Sequence, residues 1–135
     1  MGYRQIDHTA DLALEIWAGS EEQLLEEAAR AVVALVTEDE AGTGDERRRI
    51  RLEALDPGDR LVRWLNEIVH LAVAEGFLVG SAEVSLDGPG GLRADLRGRA
   101  RAFDGLRGEV KAVTYHGLRL DREGDRWRAV VVIDV

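Results

Sequence analysis

The stretch Asp7-His8-Thr9-Ala10-Asp11 places two carboxylates, an imidazole and a hydroxyl in five residues, directly before an apolar run. The opposite end of the chain reads Val130-Val131-Val132-Ile133-Asp134-Val135. Its most apolar segment therefore closes on an acid, followed by the α-carboxylate of Val135. If the strand that begins at Asp11 lies beside the last strand, Asp11, Asp134 and the Val135 carboxylate converge, with Asp7 or His8 nearby. Clustered carboxylates repel one another unless a shared proton or a bound cation neutralises them. Three or four hard oxygens suit Ca²⁺, Mg²⁺ or Mn²⁺, and a histidine nitrogen shifts the choice toward Mn²⁺ or Zn²⁺. Taken singly, each residue has a plainer reading: Asp in a turn bonds its own backbone, and His8 serves as a structural histidine.

The elements that must position these groups follow from periodicity. Residues 11–18 alternate, with Leu12, Leu14 and Ile16 on one face and Asp11, Ala13 and Glu15 on the other, as in a half-buried strand. Ser20, with Gln23 three residues on, caps a helix whose stripe is Leu24, Leu25, Ala28, Ala29, Val32, Val33 and Val36. Glu21, Glu22, Glu26 and Glu27 are expected to face water. Residues 47–55 form another strand. Asp56-Pro57 starts a second helix that runs to Glu75 and stops at Gly76, burying Leu61, Trp64, Leu65, Ile68, Leu71 and Ala72. Residues 77–86 and 92–102 flank Asp87-Gly88-Pro89-Gly90-Gly91 as a hairpin. Residues 110–120 and 127–135 supply the last strands. Two helices among roughly seven strands joined by tight turns give an α+β fold, with the helices packed on largely antiparallel sheets in a single domain over 1–135.

Composition narrows the chemistry. The chain has 135 residues, no cysteine and a net charge of −8. Disulfides, thiolate metal sites and thiol nucleophiles are excluded. No apolar run approaches a membrane span and no leader pattern opens the chain, so a cytoplasmic soluble protein is expected. Residues 1–60 hold 15 acids and 7 bases, against 11 of each in residues 61–135. Such an acidic chain is not expected to bind nucleic acid strongly on its own. Arg93, Arg97, Arg99 and Arg101 share one face of a strand, but the wet face of an antiparallel sheet explains such a stripe without RNA, and no aromatics interleave it. Seventeen of the eighteen basic residues are Arg; the exception is Lys111. A compact ammonium does what a guanidinium cannot, although on composition alone coding bias is the plainer explanation of a lone lysine. Tyr115 and His116 make a polar pair just downstream, with a structural role as the plain alternative. No nucleophile elbow, phosphate loop or zinc-protease motif occurs, which leaves metal-assisted hydrolysis or carboxylate acid–base chemistry for any catalyst.

Four stretches together resemble the archease family: Asp7–Asp11, residues 61–71 (LVRWLNEIVHL), residues 109–118 (EVKAVTYHGL) and the closing VVVIDV. Their order and spacing span nearly the whole chain. The resemblance implies a cytosolic accessory protein of an RtcB-type RNA ligase, acting in tRNA splicing or RNA repair. It implies no ligase activity of its own. The accessory role is to promote GTP-dependent guanylylation of the ligase histidine and to allow multiple turnover, with GTP and RNA met only through the ligase. It also implies a metal site at Asp11, Asp134 and Val135 with His8 close by, and a functional Lys111. Two positions depart from the family pattern: Arg99 stands where a Glu is common, and the loop containing Leu106 lacks a His. Rival readings are a stand-alone metal-dependent phosphohydrolase and a chaperone-like interaction module.

Overall fold

The computed structural model describes residues 1–6, 12–36, 44–100 and 112–134. The element order is β1 (Gly2–Ile6), β2 (Leu12–Ala18), α1 (Glu21–Val36), β3 (Glu46–Glu53), α2 (Pro57–Glu75), β4 (Phe77–Asp87), β5 (Gly91–Ala100), β6 (Ala112–Glu123) and β7 (Arg126–Asp134). Two antiparallel sheets result, ordered β1-β2-β7-β6 and β3-β5-β4. The expected α+β fold, two helices with antiparallel sheets, is therefore observed. β1 was not expected: the stretch GYRQI shows no apolar alternation, because it is an exposed edge strand held by pairing to β2.

Local signals set the helix ends. Ser20 Oγ accepts from Gln23 N–H at 3.2 Å. Asp56 Oδ1 accepts from Asp59 N–H at 2.8 Å, with Pro57 in the first turn where a missing N–H costs nothing. Gly76 ends α2 at φ 66°, a left-handed conformation glycine adopts without Cβ strain. One apolar core draws on both helices and both sheets: Leu14 and Ile16 from β2, Val32 from α1, Trp64 and Ile68 from α2, Phe77 from β4, Leu92 from β5 and Val131 and Ile133 from β7. The Trp64 indole N–H donates to the Leu25 carbonyl at 2.7 Å and ties α2 to α1.

The helix acids expected in water are instead partly or fully buried, and several are paired. Glu27 is buried and Glu26 Oε2 accepts the backbone N–H of Val84 at 2.9 Å. Glu21 Oε2 takes the Arg60 guanidinium at 2.7 Å. Arg60 is only 2 % exposed and also donates to the carbonyls of Gly88 and Gly91, so one side chain fastens α2 to α1 and to the β4–β5 turn. On β2, Ala13 and Glu15 are buried rather than wet. Glu15 accepts from Arg128 at 2.5 Å and from Arg4 at 3.0 Å, which holds its carboxyl below the usual carboxylate range. An alternating pattern identifies the core face of a strand. It does not reveal that long arginine stems on neighbouring strands roof the other face.

Candidate functional site

The antiparallel pairing of β2 with β7 brings the start of β2 beside the end of β7. Leu12 lies opposite Ile133, and Ile6 of β1 lies opposite Ala13. On the other side of β7, Ala112 of β6 lies opposite Asp134 and Val113 opposite Ile133. Three chain segments thus meet at one end of a single sheet. Asp134 is exposed there, and among the described residues it has no ion-pair partner. Asp7, His8, Asp11, Lys111 and Val135 lie outside the described residues, as do Arg101 and Leu106. Among the described residues, no group of three or more His, Asp or Glu side chains is arranged to hold a metal ion.

Beside this end, β6 departs from regular pairing. Thr114 lies opposite Val132, yet the next registered partner is Arg119 opposite Val130. Five residues advance on β6 while two advance on β7. The extra residues form a bulge carrying Tyr115 and His116, closed by Gly117 at φ 71°. Bulges of this kind re-aim side chains out of the ladder. Tyr115 is redirected onto α2, where its hydroxyl donates a very short hydrogen bond to Asp59 Oδ1. His116 is exposed, with its backbone N–H bonded to Thr114 Oγ1 at 3.1 Å.

Asp59 is 7 % exposed and gathers four groups. Besides Tyr115, its Oδ2 accepts from Leu55 N–H at 2.8 Å and from Arg63 Nε at 2.9 Å, while its own N–H is held by Asp56. The Tyr115 hydroxyl first, then the Leu55 N–H, keep the Asp59 carboxyl below the ordinary carboxylate range. The same bond to a carboxylate, with burial, pushes the Tyr115 phenol above 10. Arg63 is raised in turn by Asp59. Tyr115 is therefore a fixed hydrogen-bond donor at neutral pH and is not poised as a base.

Seven residues further along α2, Asn66 makes a second link to β6. Its side-chain NH₂ donates to the Val113 carbonyl at 3.0 Å, and its Oδ1 accepts from Val113 N–H at 2.8 Å. β6 is an edge strand of its sheet, so Val113 would otherwise present an unpaired donor and acceptor there. Asp59, Arg63 and Asn66 were not expected from the sequence. Their signals were faint: Asp59 and Arg63 are four apart on one helix face, and Asn66 is a polar residue beside the apolar Trp64 and Leu65.

Comparison with known proteins bears on this arrangement. The family model of the Archease protein family matches residues 3–135. The chain belongs to the archease family. The archease of Methanopyrus kandleri is 37% identical over the whole of both chains, and that of Archaeoglobus fulgidus is 36% identical, also over the whole of both. Among solved structures, the solution structure of a Methanobacterium thermoautotrophicum protein superposes with a TM-score of 0.78 at 24% identity, covering 99% of each chain. At that identity the likeness concerns the fold. A Thermotoga maritima crystal structure, described as an archease and possible chaperone, gives a TM-score of 0.69 at 27% identity, over 98% of this chain and 96% of that one. No helix among the described residues is long and apolar enough to cross a membrane.

Proposed function

We propose that this archease is a metal-binding accessory protein of an RtcB-type RNA ligase, without catalytic chemistry of its own. It promotes GTP-dependent guanylylation of the ligase histidine and supports multiple turnover in tRNA splicing or RNA repair. The observation that carries the reading is the meeting of Leu12, Asp134 and Ala112 at one sheet end. Each is one peptide bond from another residue of the proposed site: Leu12 from Asp11, Asp134 from Val135, Ala112 from Lys111. Adjacent Cα atoms are about 3.8 Å apart, so sequence continuity leaves these groups little distance to cover.

Asp11, Asp134 and the Val135 carboxylate would hold the ion, with Asp7 and His8 beside it. The donor set is hard oxygen, which favours Ca²⁺, Mg²⁺ or Mn²⁺ over softer ions. A bound divalent cation would neutralise the acids and polarise a phosphate oxygen presented by the ligase. Lys111 supplies an ammonium that orients a site carboxylate or meets an anionic group of the partner. The Tyr115–Asp59 and Asn66–Val113 bonds fix β6, and hence the strand entry next to Lys111, against α2. Assistance to a partner enzyme also accords with the description of the Thermotoga relative as a possible chaperone. The test is multiple-turnover RNA ligation by the partner ligase. Asp11→Ala and Asp134→Ala should remove stimulation while the far-ultraviolet circular dichroism stays native. Undiminished stimulation by both variants rejects the assignment.

A further inference from the structure

The outer face of the β3-β5-β4 sheet carries a pattern that the ligase reading does not use. On β5, Leu92, Ala94 and Leu96 are buried, while Arg93, Asp95 and Arg97 point outward. Residues directly opposite in an antiparallel pair share a face. The register therefore defines rows across the three strands. Arg47 lies opposite Arg97, which lies opposite Ser81; Arg51 lies opposite Arg93, which lies opposite Ser85. Each row is Arg-Arg-Ser. Between them runs a third row, Arg49-Asp95-Glu83, in which Arg49 Nε is bonded to Asp95 Oδ1 at 2.9 Å.

Like charges directly opposite on neighbouring strands are unfavourable, and this sheet contains three such pairs, Arg47–Arg97, Arg51–Arg93 and the acidic Glu83–Asp95 between them. Other arginines, such as Arg4, Arg48, Arg60, Arg63 and Arg128, are satisfied by carboxylates. Among the described residues, the side chains of Arg47, Arg51, Arg93 and Arg97 have no hydrogen-bonding or ion-pair partner. Each Arg-Arg-Ser row lines its own surface depression, one holding Arg51, Ser85 and Arg93, the other Arg47, Ser81 and Arg97. Two planar guanidinium forks and a hydroxyl in line match the oxygens of a phosphate.

We propose that this face binds the phosphodiester backbone of single-stranded RNA, one phosphate group at each Arg-Arg-Ser row. The rows are four residues apart, about 13 Å along the strands, close to the rise of about four stacked nucleotides. Between the rows stands Glu83, opposite Asp95. A ribose 2′-hydroxyl can donate to its carboxyl, whereas the carboxylates of an acidic peptide have no proton to donate. The outward residues of the three rows include no aromatic side chain, so contact is to backbone and independent of base sequence. Binding is weak and salt-dependent, because the chain as a whole carries −8. This inference does not depend on the metal site or on the ligase.

The test is fluorescence anisotropy of a labelled oligouridylate of about 20 nucleotides, titrated with the full chain at several salt concentrations. Two neutralised phosphates predict a log–log salt slope of about −1.4, and so about a sevenfold loss of affinity between about 50 and 200 mM salt. The Arg47→Gln/Arg97→Gln and Arg51→Gln/Arg93→Gln double variants should each shallow the slope by about 0.7. The quadruple variant should bind at least about tenfold more weakly at low salt. Its melting temperature should hold or rise, since repulsion is relieved. The matching DNA oligomer, lacking 2′-hydroxyls, should bind more weakly. Absence of binding by the native chain at low salt, or wild-type affinity in the quadruple variant, overturns the proposal. Equal binding of DNA overturns the choice of RNA. Displacement by polyglutamate as effective as by unlabelled RNA assigns the face to an acidic protein instead.

Discussion

Replacing Asn66 with alanine removes both bonds that tie α2 to Val113 of β6. Val113 is buried, and its backbone N–H and C=O lose their side-chain partners together. An unsatisfied buried backbone group costs about 1–3 kcal/mol. Two such groups, partly relieved by water reaching this half-buried edge, give a loss of about 2–4 kcal/mol. For 135 residues the unfolding entropy is about 0.28 kcal/mol/K, so the melting temperature should fall by about 7–14 °C. Calorimetry or circular dichroism at pH 7 measures this directly. Asn66→Asp provides an internal check, because a carboxylate keeps the acceptor for Val113 N–H but faces the Val113 carbonyl without a proton. That carboxyl should have a folded pKa above its unfolded value. Its destabilisation should be full above the folded pKa and shrink as pH falls and the carboxyl protonates. A melting temperature for Asn66→Ala within about 2 °C of the native value would refute the view that this clamp secures β6.

Asp59, held below its ordinary range by Tyr115 and the Leu55 N–H, contributes stability that is present above its unfolded pKa and lost as pH falls through its folded pKa. Asp59→Asn should therefore flatten urea stability as pH falls below the ordinary carboxylate range, where the native chain loses stability. Tyr115, raised above 10, contributes stability that is fully present below its unfolded pKa and lost as pH rises through its folded value. Tyr115→Phe should abolish that alkaline loss, and an unchanged alkaline limb in urea titrations would contradict it. Arg128→Ala should cost about 1–3 kcal/mol by urea denaturation, since Glu15 is 6 % exposed and would retain only Arg4. Gly90→Ala should destabilise by about 1–3 kcal/mol or more, because its Cβ would stand 1.9 Å from the Ala54 carbonyl oxygen; a neutral effect in the same assay would show that the β4–β5 turn yields freely.

Much of the fold was legible because its signals are local. Ser20, Asp56-Pro57 and Gly76 bound the two helices by capping chemistry that depends on neighbours in sequence alone. The Asp87–Gly91 turn and the alternation of Leu92, Ala94 and Leu96 specified the β4–β5 hairpin. β1 escaped notice because its stability comes from pairing with β2 rather than from its own pattern. The burial of Glu15 and Glu27 escaped for a related reason: a sequence shows acids but not the arginines and backbone groups that tertiary structure brings to them. At the sheet end, the sequence posed the adjacency of β2 and β7 only as the condition for the carboxylates to converge, and the pairing of Leu12 with Ile133 meets that condition. The Asp59–Tyr115 and Asn66–Val113 bonds join residues 56 and 47 positions apart, and no periodicity encodes them. The same holds for the Arg-Arg-Ser rows, since a stripe of arginines on β5 acquires meaning only when β3 and β4 are registered beside it.

The proposal that the two chain ends cage a cation is tested most directly by melting the native chain with Ca²⁺, Mg²⁺, Mn²⁺ or Zn²⁺ against chelator. An ion present at a hundredfold its dissociation constant adds about 2.7 kcal/mol to the native state. For a chain of this length that is a rise of about 9–10 °C. The account predicts such a rise with at least one of these ions, and its loss in Asp11→Ala and Asp134→Ala. A melting temperature indifferent to all four ions, or a rise that survives both substitutions, would contradict it.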